Sequence, residues 1–239
     1  MNFKPAAKDP MKALACFLAL ILITFAAASG QSGRGPAPTL APPAPSTKAP
    51  DANGFIQRWL VLEPIPIQIR SNAQLNDGFV QTTIKTDYFA DQYTVIPRDG
   101  DKVTVNGAEL LWHAVDTSAY HVNLYHFARA LKKPAFNILF WAVTIVHCPE
   151  EMRNVRLSVG SNAASIWWLN GKEVIGIYGD RHMVIDDGVS KRLSLKKGPN
   201  VVRCAVLNSP GVSAICARFL DAEDKPMKGF TVNLGNAAR

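Results

Sequence analysis

The 239-residue sequence predicts an all-β fold, a β-sandwich with one short helix. Three observations carry that expectation. The stretch "DKVTVNGAELLWHAV" (101–115) alternates Val103 and Val105, turns at Asn106-Gly107, and resumes with Leu110 and Trp112. Both turn positions tolerate the positive φ of a tight hairpin turn. A second such pair, Asn170-Gly171, follows "SIWWL" (165–169). Further turn signals at Asp187-Gly188 and Lys197-Gly198 space the remaining apolar runs at short intervals, the pattern of a sandwich rather than of βαβ units.

The elements follow in order. "FIQRWLVLEPIPIQI" (55–69) opens as a strand and is interrupted by Pro64 and Pro66, which suit an edge or a loop. "YHVNLYHFARAL" (120–131) has helical spacing in Val122, Leu124, Tyr125, Phe127, Ala128 and Leu131, and Pro134 closes it. "FNILFWAVTIVHC" (136–148) is too continuously apolar for a half-exposed strand and is expected at the centre, covered on both sides. "NVRLSVGS" (154–161) and the segments after residue 182 supply the remaining strands.

The domain organisation has three parts. Residues 1–30 read as a secretory signal peptide: Lys12 precedes the 16-residue apolar run 13–28, and Ala26, Ala27, Ala28, Ser29 and Gly30 resemble a cleavage site. That run is shorter than the roughly 20 residues of a membrane span. Residues 31–54 hold six prolines and almost no large apolar side chain, which predicts a disordered tether. Residues 55–239 form one domain with a core of its own. An exported protein without a membrane span is expected.

Net charge is +7, or +5 once the three lysines and one aspartate of residues 1–30 are removed. The basic residues are scattered, "KRLSLKK" (191–197) being the densest run, so no nucleic-acid surface is expected. Cys148, Cys204 and Cys216 lie beyond the leader. Cys204 and Cys216 flank the turn signal "NSPG" (208–211), so a Cys204–Cys216 disulfide across a hairpin and two buried free thiols are both open. Either leaves Cys148 unpaired. No CxxC or Cys/His spacing marks a metal site, and no cofactor fingerprint occurs.

"RWLVLEPIP", "GDKVTVNGAELLW", "VGSNAASIWWLNGKEV" and "VSKRLSLKKGPNVVRCAVLN" follow one another in a specific order. As a set they resemble the galactose-binding-like jelly-roll domains attached to bacterial secreted glycosidases and carbohydrate esterases, over about residues 57–235. The chain departs from the pattern at Asn162, Ala163 and Ala164, where the family often has Asp-Asp-Gly, and at Glu63-Pro64-Ile65, where Gly-Pro-Phe is common. No role of the acidic pair carries over. The resemblance implies a non-catalytic domain that binds a polysaccharide or other glycan, with docking onto an extracellular enzyme or envelope protein as the alternative.

Trp167 and Trp168 point to opposite faces of their strand. The resembling domains place positions 167 and 169 inward, which makes Trp167 core. Trp168 then faces outward, either beneath a covering loop or helix, or open as a platform for a sugar ring. The loop "YGDRHM" (178–183) adds a ring in Tyr178, an acceptor in Asp180, donors in Arg181 and an imidazole in His182. The expected ligand-binding set is Trp168, Tyr178, Asp180 and Arg181; the ordinary alternative for the loop is an Asp180–Arg181 pair on the surface. No catalytic residue is expected. GxSxG is absent, Asp186 and Asp187 read as turn formers, and His113 and His147 sit in apolar strands. His121 and His126, five apart, are a poor metal pair on a helix.

Overall fold

The structure is a computed structural model that describes residues 39–40 and 47–234. The leader expected at residues 1–30 lies outside the described residues. In chain order the first elements are β1 (Thr39–Leu40), β2 (Arg58–Leu62), β3 (Ile65–Pro66), α1 (Asp77–Ile84), β4 (Lys102–Val105), β5 (Ala108–Asp116), β6 (Val122–Asn123) and α2 (Leu124–Ala130). Then come β7 (Ile138–Cys148), β8 (Met152–Ser161), β9 (Ala164–Leu169) and β10 (Lys172–Ile177). The last are β11 (Gly188–Val189), β12 (Leu193–Leu195), β13 (Gly198–Asn208), β14 (Ala214–Leu220) and β15 (Thr231–Asn233). No helix among the described residues is long and apolar enough to cross a membrane.

Two antiparallel sheets make the expected β-sandwich. The larger runs β1-β5-β2-β7-β13-β9-β10, with β4 added to β5 and with β3 and β15 added to β7. The smaller runs β11-β8-β14-β6, with β12 on β8. Both Asn-Gly hairpins form as the sequence predicts. Asn106 and Gly107 have φ 50° and 80°, and Asn170 and Gly171 have 49° and 80°.

The larger sheet is buried on both faces. Along β7, Ile138, Phe140, Ala142, Val146 and Cys148 enter the core between the sheets. Leu139, Trp141, Val143 and Ile145 enter a second core on the opposite face. This is the physical basis of the continuous apolar run at 136–148: a strand covered on both sides has no position left for polar alternation. The second core is closed by Val80 and Ile84 of α1 and by Phe89 and Tyr93 of the loop behind it.

The helix count differs from the expectation. α2 forms within the predicted stretch, with the Asn123 side chain accepting from the His126 N–H at 2.8 Å. α1 was not legible, because "DGFVQTTI" combines Gly78 with β-branched Thr82, Thr83 and Ile84, all weak helix formers. It is held by the Asn76 cap, which accepts from Phe79 N–H at 3.0 Å, and by burial of Val80 and Ile84.

Part of the tether expected at residues 31–54 is packed. Thr39 and Leu40 pair with Asp116 and Val115, and Lys48 exchanges backbone bonds of 2.9 and 2.7 Å with Val232. Lys48 Nζ also reaches Asp116 at 2.5 Å. The ordered chain therefore begins before residue 55.

The Cys204–Cys216 disulfide does not form. Cys204 lies on β13 in the larger sheet and Cys216 on β14 in the smaller one, so "NSPG" is a corner between sheets, not a hairpin. Cys204 joins the inter-sheet core, whereas Ile215 and Ala217, not Cys216, point into it. All three described cysteines are free and buried. Burial pushes the Cys204 thiol far above its ordinary range and Cys216 up to about 12.

Trp167 and Trp168 separate as strand geometry requires. Trp167 is fully buried between the sheets, edge-on to Trp59 at 6.1 Å, and its indole N–H donates to Ser165 Oγ at 2.9 Å. Trp168 enters the second core. Replacing Trp168 with Ala should therefore cost about 3–5 kcal/mol of stability, measured by urea unfolding. A change under 1 kcal/mol would mean that the second core does not pack as described.

Candidate functional site

The expected aromatic platform is absent, and the corrections are specific. Trp168 is only 4% exposed. Trp141 stacks against it at 5.5 Å with 19° between the rings, and Tyr93 meets it at 5.6 Å. No ring face remains for a sugar, so the covering loop is the reading that holds for this residue. Tyr178 is half-buried, with its phenol lying over Gly176 and its oxygen accepting from Gln81 Nε2 at 3.2 Å. It ties the 178–187 loop to α1 and does not line the cleft described next.

Asp180 and Arg181 do share a cleft, but they do not pair with each other. The cleft holds about 370 Å³ and lies among Asn72, Asn162, Asp180, Arg181, His182 and the 210–212 turn. Asn72 Nδ2 donates to Asp180 Oδ2 at 2.6 Å, and Ser209 Oγ donates to Asn72 Oδ1. Asp180 is thereby oriented by a two-step relay from the sheet corner. Arg181 is turned back by Asp187 at 2.7 Å and by the Tyr178 carbonyl at 2.8 Å. Asn162, His182, and the apolar lip of Pro210 and Val212 complete the walls.

Two devices hold the 178–187 loop in place. The first is Gly160 on β8. A Cβ there would sit 2.1 Å from the Val184 carbonyl oxygen and 3.0 Å from Cys216 Sγ, so the loop backbone lies directly on the strand. The second is Asp186, which takes a two-pronged ion pair from Arg218 and a hydrogen bond from Ser158 Oγ. Burial alone would raise the Asp186 carboxyl, but Arg218 and Ser158 outweigh it and hold it below the usual carboxylate range. Asp186 is a turn residue with φ 60°, as the sequence suggests, and also the loop's anchor. At the β8–β9 corner Ala163 adopts φ 57°, and its N–H donates to the Arg181 carbonyl at 3.2 Å. A non-glycine residue in this region costs roughly 1–2 kcal/mol, offset here by the contacts of the corner.

Sequence reasoning located Asp180, Arg181 and His182 but not Asn72, Asn162 or the 209–212 corner. Asn72 is 108 positions from Asp180, and no local pattern announces that meeting. The other histidines gather no metal set: among the described residues no group of three or more His, Cys, Asp or Glu is placed to hold an ion. Burial and the neighbouring His126 push the His121 imidazole below its ordinary value. Glu63, buried in the larger sheet, is held by Lys133 at 3.2 Å and His113 at 3.4 Å.

No protein-family model matches the chain, and no curated protein matches it. Solved structures do. The chain is similar to a PA14 sugar-binding domain from an RTX adhesin, at 13% identity and a TM-score of 0.40, over 73% of this chain and 96% of that one. It is similar to the PA14 domain of the MpAFP antifreeze protein at 8% identity and a TM-score of 0.39, over 73% and 89%. An epithelial adhesin A domain from Candida glabrata, solved with β-lactose, gives 9% identity and a TM-score of 0.35, over 84% and 98%. TM-scores of this size leave the assignment of function to the residues themselves.

The Asp186 anchor sets a pH dependence. A carboxyl whose folded pKa is depressed stabilises the fold above its unfolded value near 3.8, and that contribution is lost as pH falls through the lower folded value. Asp186→Asn should cost about 1.5–3 kcal/mol at pH 7 and flatten the acid limb of the stability profile below pH 4. An unchanged acid limb in thermal melts from pH 7 to 2 would remove Asp186 as the anchor.

Proposed function

We propose that this chain is an exported, non-catalytic carbohydrate-binding domain that reads glycan hydroxyls in the Asp180 cleft. The observation that supports this most is the mixture of groups in one small cleft. Asp180 supplies a fixed acceptor, Asn162 an amide with both donor and acceptor, and His182 an imidazole with one of each. Pro210 and Val212 offer an apolar lip for the carbon face of a ring. Sugar sites need this combination of paired donors and acceptors beside a nonpolar surface. The reading is of a polar cleft rather than a stacking platform, which favours a short glycan segment or chain end over a flat crystalline polymer. A leader and a proline-rich tether fit a module carried outside the cytoplasm, alongside an extracellular polysaccharide-degrading system.

A second reading has its own observation. Val184, Ile185 and Val189, which are 57%, 41% and 41% exposed, cluster at and just after the end of the 178–187 loop. Such a strip suits docking onto a partner protein better than it suits sugar.

The test is affinity against a panel of soluble oligosaccharides and polysaccharides, with Asp180→Ala and Val184→Ser beside the wild type. Asp180→Ala should weaken glycan binding at least about tenfold, the worth of one lost charge-assisted bond, while Val184→Ser leaves it unchanged. No glycan binding across the panel, with a folded protein, would remove this reading and leave the apolar strip as the functional surface.

A further inference from the structure

Arg203 is the least expected residue in the second core. It lies on β13 beside Trp168, in register across to β9, and is only 2% exposed. One guanidinium nitrogen donates to the Val95 carbonyl, which clamps the covering loop to the sheet. Its Nε has no partner, and no carboxylate among the described residues pairs with it. Burial lowers its pKa to about 10, with the neighbouring Cys204 thiol acting weakly in the other direction and no carboxylate contributing. Glu173, level with Trp168 on the next strand, is taken by Lys85 at 2.9 Å. A clamp on one carbonyl needs a single neutral donor. A guanidinium brings five donors and a full charge, and a buried charge without a counter-charge is strongly unfavourable.

The charge does have an opening. Arg203 forms part of a cleft of about 240 Å³, apart from the Asp180 cleft, whose other walls include Tyr93 and Thr94 of the covering loop, the Asn170-Gly171 turn, and Lys196. Lys196 carries no ion pair among the described residues. The Asn170 side chain is spent on the frame: it donates to Asn200 at 3.0 Å and accepts from Val201 N–H at 2.9 Å. The cleft walls therefore carry two cations beside Tyr93 and Thr94, with no acidic side chain among them; the Thr94 hydroxyl already donates to the Asp91 carbonyl at 3.4 Å. A set of donors around a buried cation is the complement of an oxyanion, and the planar guanidinium edge fits two oxygens of one carboxylate or sulfate group.

We propose that the cleft over Arg203 and Lys196 binds an oxyanion: a carboxylate or sulfate group, carried by an acidic glycan or met as a free ion. The site stands independently of the Asp180 cleft. Bound there, the anion neutralises the charge beneath Trp168 and locks the 85–95 loop onto the larger sheet, so ligand binding and closure of the second core are coupled.

The experiment measures melting temperature and calorimetric binding for the full chain. The probes are sodium sulfate, sodium galacturonate, a galacturonate oligosaccharide and its fully methyl-esterified counterpart, with ionic strength matched by sodium chloride. Sulfate or uronate near saturation should raise Tm by about 2–4 °C over matched chloride. Lys196→Gln, a surface change, should weaken binding several-fold, and Arg203→Met should abolish it. If Arg203→Met does not fold, Lys196→Gln and Lys196→Glu carry the comparison, with the acidic variant losing all binding. An oligosaccharide that binds at least about tenfold tighter than sulfate assigns the site to an acidic glycan, and equal affinities assign it to a free ion. Asp180→Ala should leave the sulfate values unchanged, whatever it does to oligosaccharide binding in the other cleft, which separates this site from the glycan cleft. No shift beyond chloride, equal binding of the esterified oligosaccharide in the Asp180→Ala background, or full sulfate binding by the Lys196 variants would overturn the proposal.

Discussion

The eleven-residue strands β7 and β13 pair along their whole length, and both faces of that pair are apolar. A sheet with two apolar faces needs two covering layers. The smaller sheet covers one face, with Phe140, Trp167 and Phe219 filling the space between. The other face would leave Trp141 and Trp168 in water unless α1 and the 85–95 loop close over it. Each such indole buries roughly 150–250 Å², worth about 4–6 kcal/mol at 25 cal/mol per Å². That requirement shapes the features of the larger sheet discussed above. It turns Trp168 into core, ties Tyr178 to α1 through Gln81, and places Arg203 under a lid.

The same constraint leaves the larger sheet without an open aromatic surface. With its second face closed, the larger sheet offers no open platform, and the Asp180 cleft forms instead where loops converge. There Asn162 of the β8–β9 corner shares a cleft with Asn72, which also bonds Ser209 of the β13–β14 corner and Asp180 of the 178–187 loop. The loop is fixed by backbone resting on Gly160 and by Asp186 on Arg218, so the cleft is held in shape before any ligand arrives. Preformed polar clefts lose less entropy on binding than mobile loops do.

Local chemistry made much of the fold legible. The two Asn-Gly hairpins were readable because only a few residue types accept two successive positive φ angles. β7 was readable because eleven residues without polar alternation have no solvated face. Trp167 and Trp168 were separable by strand period alone. What could not be read depends on distant pairing. "NSPG" is the same turn chemistry whether the chain folds back within a sheet or crosses to the other, so the relation of Cys204 to Cys216 was open until the sheets were known. α1 was hidden by weak propensity that tertiary burial overrides. The meeting of Asn72 with Asp180, and the lid over Arg203, join segments about a hundred residues apart.

The burial of the aromatic platform is tested most directly by the tryptophans themselves. All five, Trp59, Trp112, Trp141, Trp167 and Trp168, are at most 4% exposed. Fluorescence of the native chain, titrated with iodide and compared with the urea-unfolded chain, reads that burial without any ligand. The account predicts a uniformly blue-shifted emission that iodide barely quenches, unchanged in shape in Trp168→Phe. A red-shifted, quenchable component that disappears in Trp168→Phe would show that the second face of the sheet is open, and would contradict the account at its centre.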